Sequence, residues 1–336
     1  GAAIKHENYD VVQPHPDILV KPVDGFGDRD AIRQLLATEK PDVIVIFTDP
    51  RFFTWLWAME DEIHQVCPIA YWHVWDNDPY PDFNGMFYQS TDLINCHSYK
   101  TYEMVNEKFP ERTNFIPHSL PEDLFYPLQP TEIEKHKTLL LGEERKDHFT
   151  GIWINRNAKR KRPNDVLMSW RLFLDELQEK HGHQNATLIM HTDPTDQEGP
   201  NLYTTIERLN LSQNVFLSPQ RLEFDKMNIL HNISDFCINI SMNEGFGLTT
   251  LESMQCGNPI IAQKTGGLTR QVVDHRDGSE NGVALEPDVR TLVGSQLVPY
   301  IYEDYCKNEN VADAFMKLYE MGPEKRKELG NKSREY

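Results

Sequence analysis

No uninterrupted apolar run in this 336-residue chain exceeds five residues, Val43-Ile44-Val45-Ile46-Phe47 being one of them. Roughly 20 are needed for a helix to cross a bilayer, so a membrane-spanning reading is disfavoured. The opening Gly1-Ala2-Ala3-Ile4-Lys5-His6 has no apolar core of a signal peptide, and Gly1-Ala2 reads as a cloning remnant. A basic excess is lacking too, with 34 Lys and Arg against 52 Asp and Glu and a formal net charge of −18. Phosphate contacts supply most of the affinity of a broad nucleic-acid binder, so nucleic acid is disfavoured as the main partner. A local basic pocket for a nucleotide-sized ligand is not.

The five cysteines, Cys67, Cys96, Cys237, Cys256 and Cys306, are odd in number and contain no C-x-x-C pair. Buried free thiols in a reducing cytoplasm explain them better than disulfides or zinc, which gives an expected cytoplasmic location. The Asn-x-Ser/Thr sequons at Asn185, Asn210, Asn232, Asn239 and Asn331 are expected to be chance matches. No low-complexity tract or solenoid repeat occurs, and no G-x-G-x-x-G follows the early strands, which disfavours an NAD-dependent dehydrogenase.

What is present is an alternation. Val43–Phe47, Ile69–Val74, Leu93–Cys96 and Asn114–Ile116 read as short buried strands, with helices over Asp28–Thr38, Phe52–Gln65 and Tyr99–Phe109. In the second half, strands are expected at Gly151–Ile154, Thr187–Met190, Val215–Leu217, Phe236–Ile240 and Pro259–Ala262. Helices are expected at Pro163–Lys180, Leu202–Asn210, Leu222–His231 and Leu248–Cys256, and past Asp288 at Leu292–Tyr305, Val311–Glu320 and Pro323–Ser333. Such alternation predicts parallel sheets built from βαβ units. Length alone suggests two domains at roughly 150 residues each. Pro127 and Pro130, followed by Glu-, Lys- and Arg-rich sequence, place the join between Pro127 and Thr150 as a surface linker.

The richest stretch is Ser241-Met242-Asn243-Glu244-Gly245-Phe246-Gly247-Leu248-Thr249-Thr250-Leu251-Glu252, after the strand ending near Ile240. Its glycines allow a tight turn close to a ligand, and the start of the following helix offers N–H groups and a positive dipole end to a phosphate. Gly257 is placed to end that helix. Glu252 is positioned to accept hydrogen bonds from a ribose diol, and Glu244 from hydroxyls of a sugar beyond the phosphates. An isolated Glu-x7-Glu would be only a loop charge and a solvated helix residue. The surrounding glycines and strand reverse that.

The second feature is Asn155-Arg156-Asn157-Ala158-Lys159-Arg160-Lys161-Arg162-Pro163, with five basic residues in nine, after another strand. Arg156 would clamp a diphosphate bidentately and Lys161 act as a point charge, stabilising a departing diphosphate without a metal. Lys159, Arg160 and Arg162 read as solvated. The competing reading is a localisation or nucleic-acid patch.

These segments together resemble family 4 retaining glycosyltransferases. Glu244-Gly-Phe-Gly-Leu-Thr-Thr-Leu-Glu252, Cys256-Gly-Asn-Pro-Ile-Ile-Ala262 and Gly266-Gly267 are similar to that family's signature, and Arg156…Lys161 to its diphosphate-binding pair. Ile116-Pro117-His118-Ser119 with Phe125-Tyr126-Pro127 resembles its interdomain I-P-N-G…F-x-P, His118 replacing Asn. The resemblance covers roughly residues 40–335 and is strongest over 150–290.

It implies an α/β GT-B fold, two Rossmann-like domains with parallel sheets facing across a cleft. Residues 1–140 would form the acceptor-side domain and 141–336 the nucleotide-sugar domain with its C-terminal helices. The implied reaction moves a sugar from a UDP- or GDP-sugar to an acceptor hydroxyl with retention, with no cofactor and no metal. His73, Glu244, Arg156 and Lys161 would be catalytic. The donor would be held by Arg156, Lys161, Glu244, Gly245, Phe246, Gly247, Leu248 and Glu252, with Arg221 near the base. Ile69-Ala-Tyr-Trp-His73-Val-Trp-Asp76 is similar to the strand that carries the family's active-site histidine, and a core or loop histidine is the other reading. Trp72, Trp75 and Asp76 are acceptor-side candidates, with Tyr80 beside them. Buried aromatics are the plain alternative for the two tryptophans. Asp76-Asn77-Asp78 is formally the metal-binding D-x-D of a different fold, and the twin Rossmann pattern argues against it.

The acceptor is left open among glycan, lipid and protein. Two departures stand out. The family's first strand and Gly-rich loop are not matched by Tyr9–Gln13 or by Asp24-Gly25-Phe26-Gly27-Asp28, and the chain ends at Tyr336, near where relatives continue. A truncated or non-catalytic nucleotide-sugar-binding relative, or a GT-B enzyme of another class such as an epimerase, therefore stands as the alternative.

Overall fold

The expected alternation of strands and helices gives two parallel sheets in the computed structural model, which describes residues 11–336. Residues 1–10, with Gly1-Ala2 and the start of Tyr9–Gln13, lie outside the described residues. The chain forms two units. One takes in the chain up to Trp75 with Pro79–Pro117 and Gly294–Tyr300, and the other Asp76–Asp78, His118–Val293 and Ile301–Tyr336. The units change over at 117/118, whereas the sequence put the boundary at 140/141.

The larger unit holds a six-stranded, all-parallel sheet. Its order across the sheet is Gly282–Leu285, Ile260–Gln263, Phe236–Asn239, Phe149–Ile154, Ala186–His191 and Val215–Ser218. The chain enters at Phe149–Ile154, builds outward through two strands, and returns to the other side of that first strand. The order therefore reverses between Phe149–Ile154 and Phe236–Asn239. A crevice opens at such a reversal, outside the carboxyl ends of the strands, and it is where doubly wound sheets bind ligands. The sheet is sandwiched between two apolar cores, one around Trp153, Trp170, Phe173 and Phe315, the other around Ile152, Ile189, Ile260 and Leu268.

Helix ends follow from local sequence. Pro163 opens Pro163–His181, where its missing N–H is no loss, and Gly182, at φ +76°, closes it with an N–H to the Gln178 carbonyl. Gly257, at φ +84°, follows Leu248–Gln255 as expected. The expected linker instead contains a helix, Pro130–Leu141, whose Glu132 carboxylate accepts from the Gln129 N–H.

The smaller unit has four parallel strands in chain order, Ile44–Phe47, Ile69–His73, Leu93–Cys96 and Thr113–Phe115. Ile44–Phe47 is an edge strand rather than the buried one expected, with Val45 and Phe47 more than half exposed. Two further expectations are corrected. Phe52–Gln65 is not one helix but Pro50–Phe52, Thr54–Trp57 and Glu60–His64. Its aromatics have different neighbours, Phe52 stacking on Phe26 and Trp57 meeting Tyr71 and Phe87, and one straight helix cannot serve all three. Leu292–Tyr305 is not a helix. Val289–Val293 and Ile301–Tyr305 form an antiparallel hairpin, with Arg290 opposite Asp304. Among the described residues no helix is long and apolar enough to cross a membrane.

Candidate functional site

The two segments singled out from sequence meet at the reversal of the larger sheet. Asn155–Pro163 leaves the carboxyl end of Phe149–Ile154, and Ser241–Gly247 leaves that of Phe236–Asn239. Backbone stitches them together, the Met242 N–H donating to the Arg160 carbonyl at 2.8 Å and Arg160 Nη1 to the Asn243 carbonyl at 3.2 Å.

Lys161 ends a short 3-10 turn, Lys159–Lys161, and is buried. Its Nζ donates to Glu244 Oε2, which Asn239 Nδ2 and Ser241 Oγ also face at 3.5 and 3.4 Å. Burial alone would raise the Glu244 pKa. The charges of Lys161 and Arg160, with the Lys161 and Asn239 hydrogen bonds, outweigh it and hold the carboxyl below its ordinary value. Glu244 is thus ionised and enclosed, an acceptor for hydroxyls. Arg156 lies farther out, 60% exposed, with Nε 2.7 Å from Asp196 Oδ2 and Nη1 3.2 Å from Glu198. The sequence reading missed these two carboxylates. They ride on the segment after Ala186–His191, which Lys159 N–H and Asn157 Nδ2 tie to the basic loop through the Glu198 and Pro200 carbonyls.

Gly247, at φ +93°, turns the chain into the helix Leu248–Gln255. The last two loop carbonyls are already taken. Gln271 Nε2 holds the Phe246 and Gly247 carbonyls at 2.7 and 3.1 Å, and Thr250 Oγ1 also donates to Gly247. First-turn N–H groups have no carbonyl one turn back, so this end of the helix presents donors. Gly245 is buried, Phe246 half-buried against His118 with ring centres 5.0 Å apart, and Leu248 exposed. Gly266 and Gly267 seal the loop from behind, where a Cβ on Gly266 would lie 2.1 Å from the Glu244 carbonyl oxygen and 2.2 Å from that of Asp76. Glu252 lies one turn into the helix with Oε2 3.1 Å from Nε2 of buried His231, a partner the sequence gave no reason to single out.

Other candidates fall elsewhere. Arg162 is not solvated. It is buried at φ +55°, donating to the Cys306 carbonyl at 2.9 Å and paired with Asp165, so it braces the loop. Arg221 is exposed between Val215–Ser218 and the helix Phe224–Asn232.

In the smaller unit, His73 ends Ile69–His73 wholly buried, Nε2 2.5 Å from the Tyr88 hydroxyl, with its Nδ1 unpartnered. Burial, then the neighbouring His97, pushes its pKa down to about 3, so the ring is neutral. Trp72 is half-buried against Phe47. Trp75 is core, its Nε1 donating to the Pro79 carbonyl at 2.9 Å. Tyr80 is half-buried beside Tyr88.

Asn77 donates to Asp304 Oδ2 at 2.7 Å and Asp78 faces Arg290 at 3.2 Å. Among the described residues no group of three or more His, Cys, Asp or Glu stands where it could hold a metal ion. All five cysteines are buried and free.

The family model described as "Glycosyl transferases group 1" matches residues 142–336. N-acetyl-alpha-D-glucosaminyl L-malate synthase of Bacillus anthracis is 26% identical over 250 residues, 68% of this chain and 58% of that protein. D-inositol 3-phosphate glycosyltransferase of Corynebacterium jeikeium is 28% identical over 188 residues, 51% of this chain and 43% of that one. The chain thus spans about half the length of these curated relatives. Among solved structures, Anabaena HepE in complex with UDP and glucose superposes with a TM-score of 0.67 at 17% identity, over 94% of this chain and 79% of that one. Sucrose-phosphate synthase from Thermosynechococcus elongatus gives 0.71 at 15%, over 98% and 80%.

Proposed function

Because the chain belongs to the group 1 glycosyl transferases, matched over residues 142–336, we propose that it is a retaining enzyme of the family 4 type. On this reading it transfers a sugar from a nucleoside-diphosphate sugar to an acceptor hydroxyl. The observation that carries the reading is the meeting of Arg156, Lys161, Glu244 and the Leu248–Gln255 helix start at the strand-order reversal. There, cations and helix N–H groups hold a diphosphate, the Glu252 carboxylate accepts from the ribose hydroxyls, and ionised Glu244 accepts from hydroxyls of the sugar.

As the bond from the anomeric carbon to the diphosphate breaks, negative charge grows on the leaving oxygen. Arg156 and Lys161 stabilise that charge in place of a divalent cation. The leaving phosphate then stands on the face where the acceptor hydroxyl enters and takes its proton, giving retention. HepE, of like fold, binds UDP, which makes a UDP-sugar the first donor to test.

The test is calorimetric titration of UDP, GDP and ADP into the protein with EDTA present throughout, followed by a sugar-donor screen. We expect one diphosphate to bind without metal. Binding of none until manganese is added would overturn the metal-free site. Binding without either transfer or donor hydrolysis would make the chain a nucleotide-sugar-binding relative instead.

A further inference from the structure

Glu252 is held before any ligand arrives. Its partner His231 lies in the last turn of Phe224–Asn232 with no exposed side-chain surface, Phe125 packs edge-on at 5.6 Å, and Asn258 Nδ2 donates to the His231 carbonyl at 2.7 Å. The ring therefore has little freedom to turn. Its Nδ1 has no hydrogen-bond partner. Nε2 is the ring nitrogen that faces a partner, the Glu252 carboxylate, so we assign a hydrogen to Nε2. That Nε2–H points at Glu252 Oε2, 3.1 Å away, and leaves Oε1 for a ligand. His191, at the carboxyl end of the neighbouring strand Ala186–His191, lies near enough for its titration to respond to both groups, and burial holds its own pKa below the ordinary value.

We propose that His231 is a positioning residue. By fixing the Glu252 carboxylate through Nε2–H, it makes the site select a nucleotide that carries both ribose hydroxyls over its 2′-deoxy counterpart. This rests on the reading of Glu252 as the ribose acceptor. A glutamate side chain free to sample rotamers would have to be ordered by each ligand, and the partner removes that cost in advance. A site built to accept a hydroxyl rejects the analogue lacking it, because the acceptor is then left unpaired.

The experiment titrates UDP, GDP and ADP, and the 2′-deoxy form of whichever binds most tightly, into wild type, His231→Leu, His231→Gln and Glu252→Ala. Wild type is expected to prefer the ribonucleotide at least tenfold. Glu252→Ala and His231→Leu should bring the ratio within about twofold, and His231→Gln, whose amide reaches to where Nε2 stands, should restore it. If His231→Leu does not fold, His231→Asn, too short to reach Glu252, takes its place. A folded His231→Leu or His231→Asn that keeps the preference while Glu252→Ala loses it overturns the role of His231 alone. Preference unchanged in Glu252→Ala, or no binding of any diphosphate to wild type, overturns the reading of Glu252 and this inference with it.

Discussion

Arg156 and Lys161 stand five positions apart in one basic loop, yet their surroundings predict different penalties on removal. Arg156 is 60% exposed, and its pairs with Asp196 and Glu198 are solvent-screened surface pairs that add little to the fold. Arg156→Ala should therefore leave stability close to that of wild type while weakening diphosphate binding by roughly tenfold or more, the loss of a charge-assisted contact. Lys161 and Glu244 have side chains only 10% and 12% exposed. Lys161→Met strands an ionised carboxylate indoors and should destabilise by about 3 kcal/mol, and adding Glu244→Leu should recover much of the loss. Urea unfolding beside nucleotide calorimetry checks both variants. Equal stabilities for Arg156→Ala and Lys161→Met would sink the distinction. The residue types at these positions were readable from their spacing. Their burial was not, because it depends on Asn239, Ser241 and the Asp196 segment, brought in by the sheet.

At the scale of elements, the glycines after Ile260–Gln263 pack against the loop Ser241–Gly247, and they carry a sharp prediction. Gly266→Ala would set a Cβ about 2 Å from two backbone oxygens at φ +47°, and backbone cannot step aside as a flexible side chain can. Folding should weaken by more than about 2 kcal/mol and nucleotide affinity should fall with it. Gly182→Ala is the control, since it strains a positive φ with nothing near the added atom. If the two variants behave alike in urea and calorimetry, packing of the loop against Gly266 is not what shapes the site.

Nine of the ten parallel strands were legible as segments holding Ile, Val, Leu or Phe, too short for a helix and bounded by turn residues, and Gly282–Leu285 was not expected. The hairpin was misread although Val289-Arg-Thr-Leu-Val293 and Ile301-Tyr-Glu-Asp-Tyr305 carry β-branched and aromatic residues that favour strands. A helix-forming sequence follows directly and drew the reading across Gly294 and Pro299. The partners that fix the hairpin, Asp304 with Arg290, Thr265 and Asn77, lie up to 227 positions apart, and no local window holds them.

For the whole molecule, acid is the condition to which buried histidines in both units respond. His73 has its pKa pushed down to about 3, and burial also lowers His118, His148 and His191. Each is neutral when folded and takes up a proton near pH 6.5 once unfolded. Their contribution to stability is therefore complete above pH 6.5 and shrinks as pH falls toward the folded value. For His73 the loss runs at about 1.4 kcal/mol per pH unit below 6.5, down to about pH 3. Glu244 and Asp304, whose pKa values are held low, keep their contributions in the upper part of this window and lose them as pH falls below the ordinary carboxyl range of about 4.

A net charge of −18 pulls the other way, because acidification toward the pI of about 5.1 relieves self-repulsion. Salt near 1 M shortens the screening length to about 3 Å and removes most of that relief. Under such salt, urea midpoints at pH 7, 6 and 5 should fall steadily. Four of the six tryptophans, at positions 55, 57, 72 and 75, lie in the smaller unit, so fluorescence reports chiefly on it. His73→Gln, which offers Tyr88 an amide that does not titrate, should flatten the decline by about one proton. An unaltered slope would mean that His73 is protonated in the folded protein.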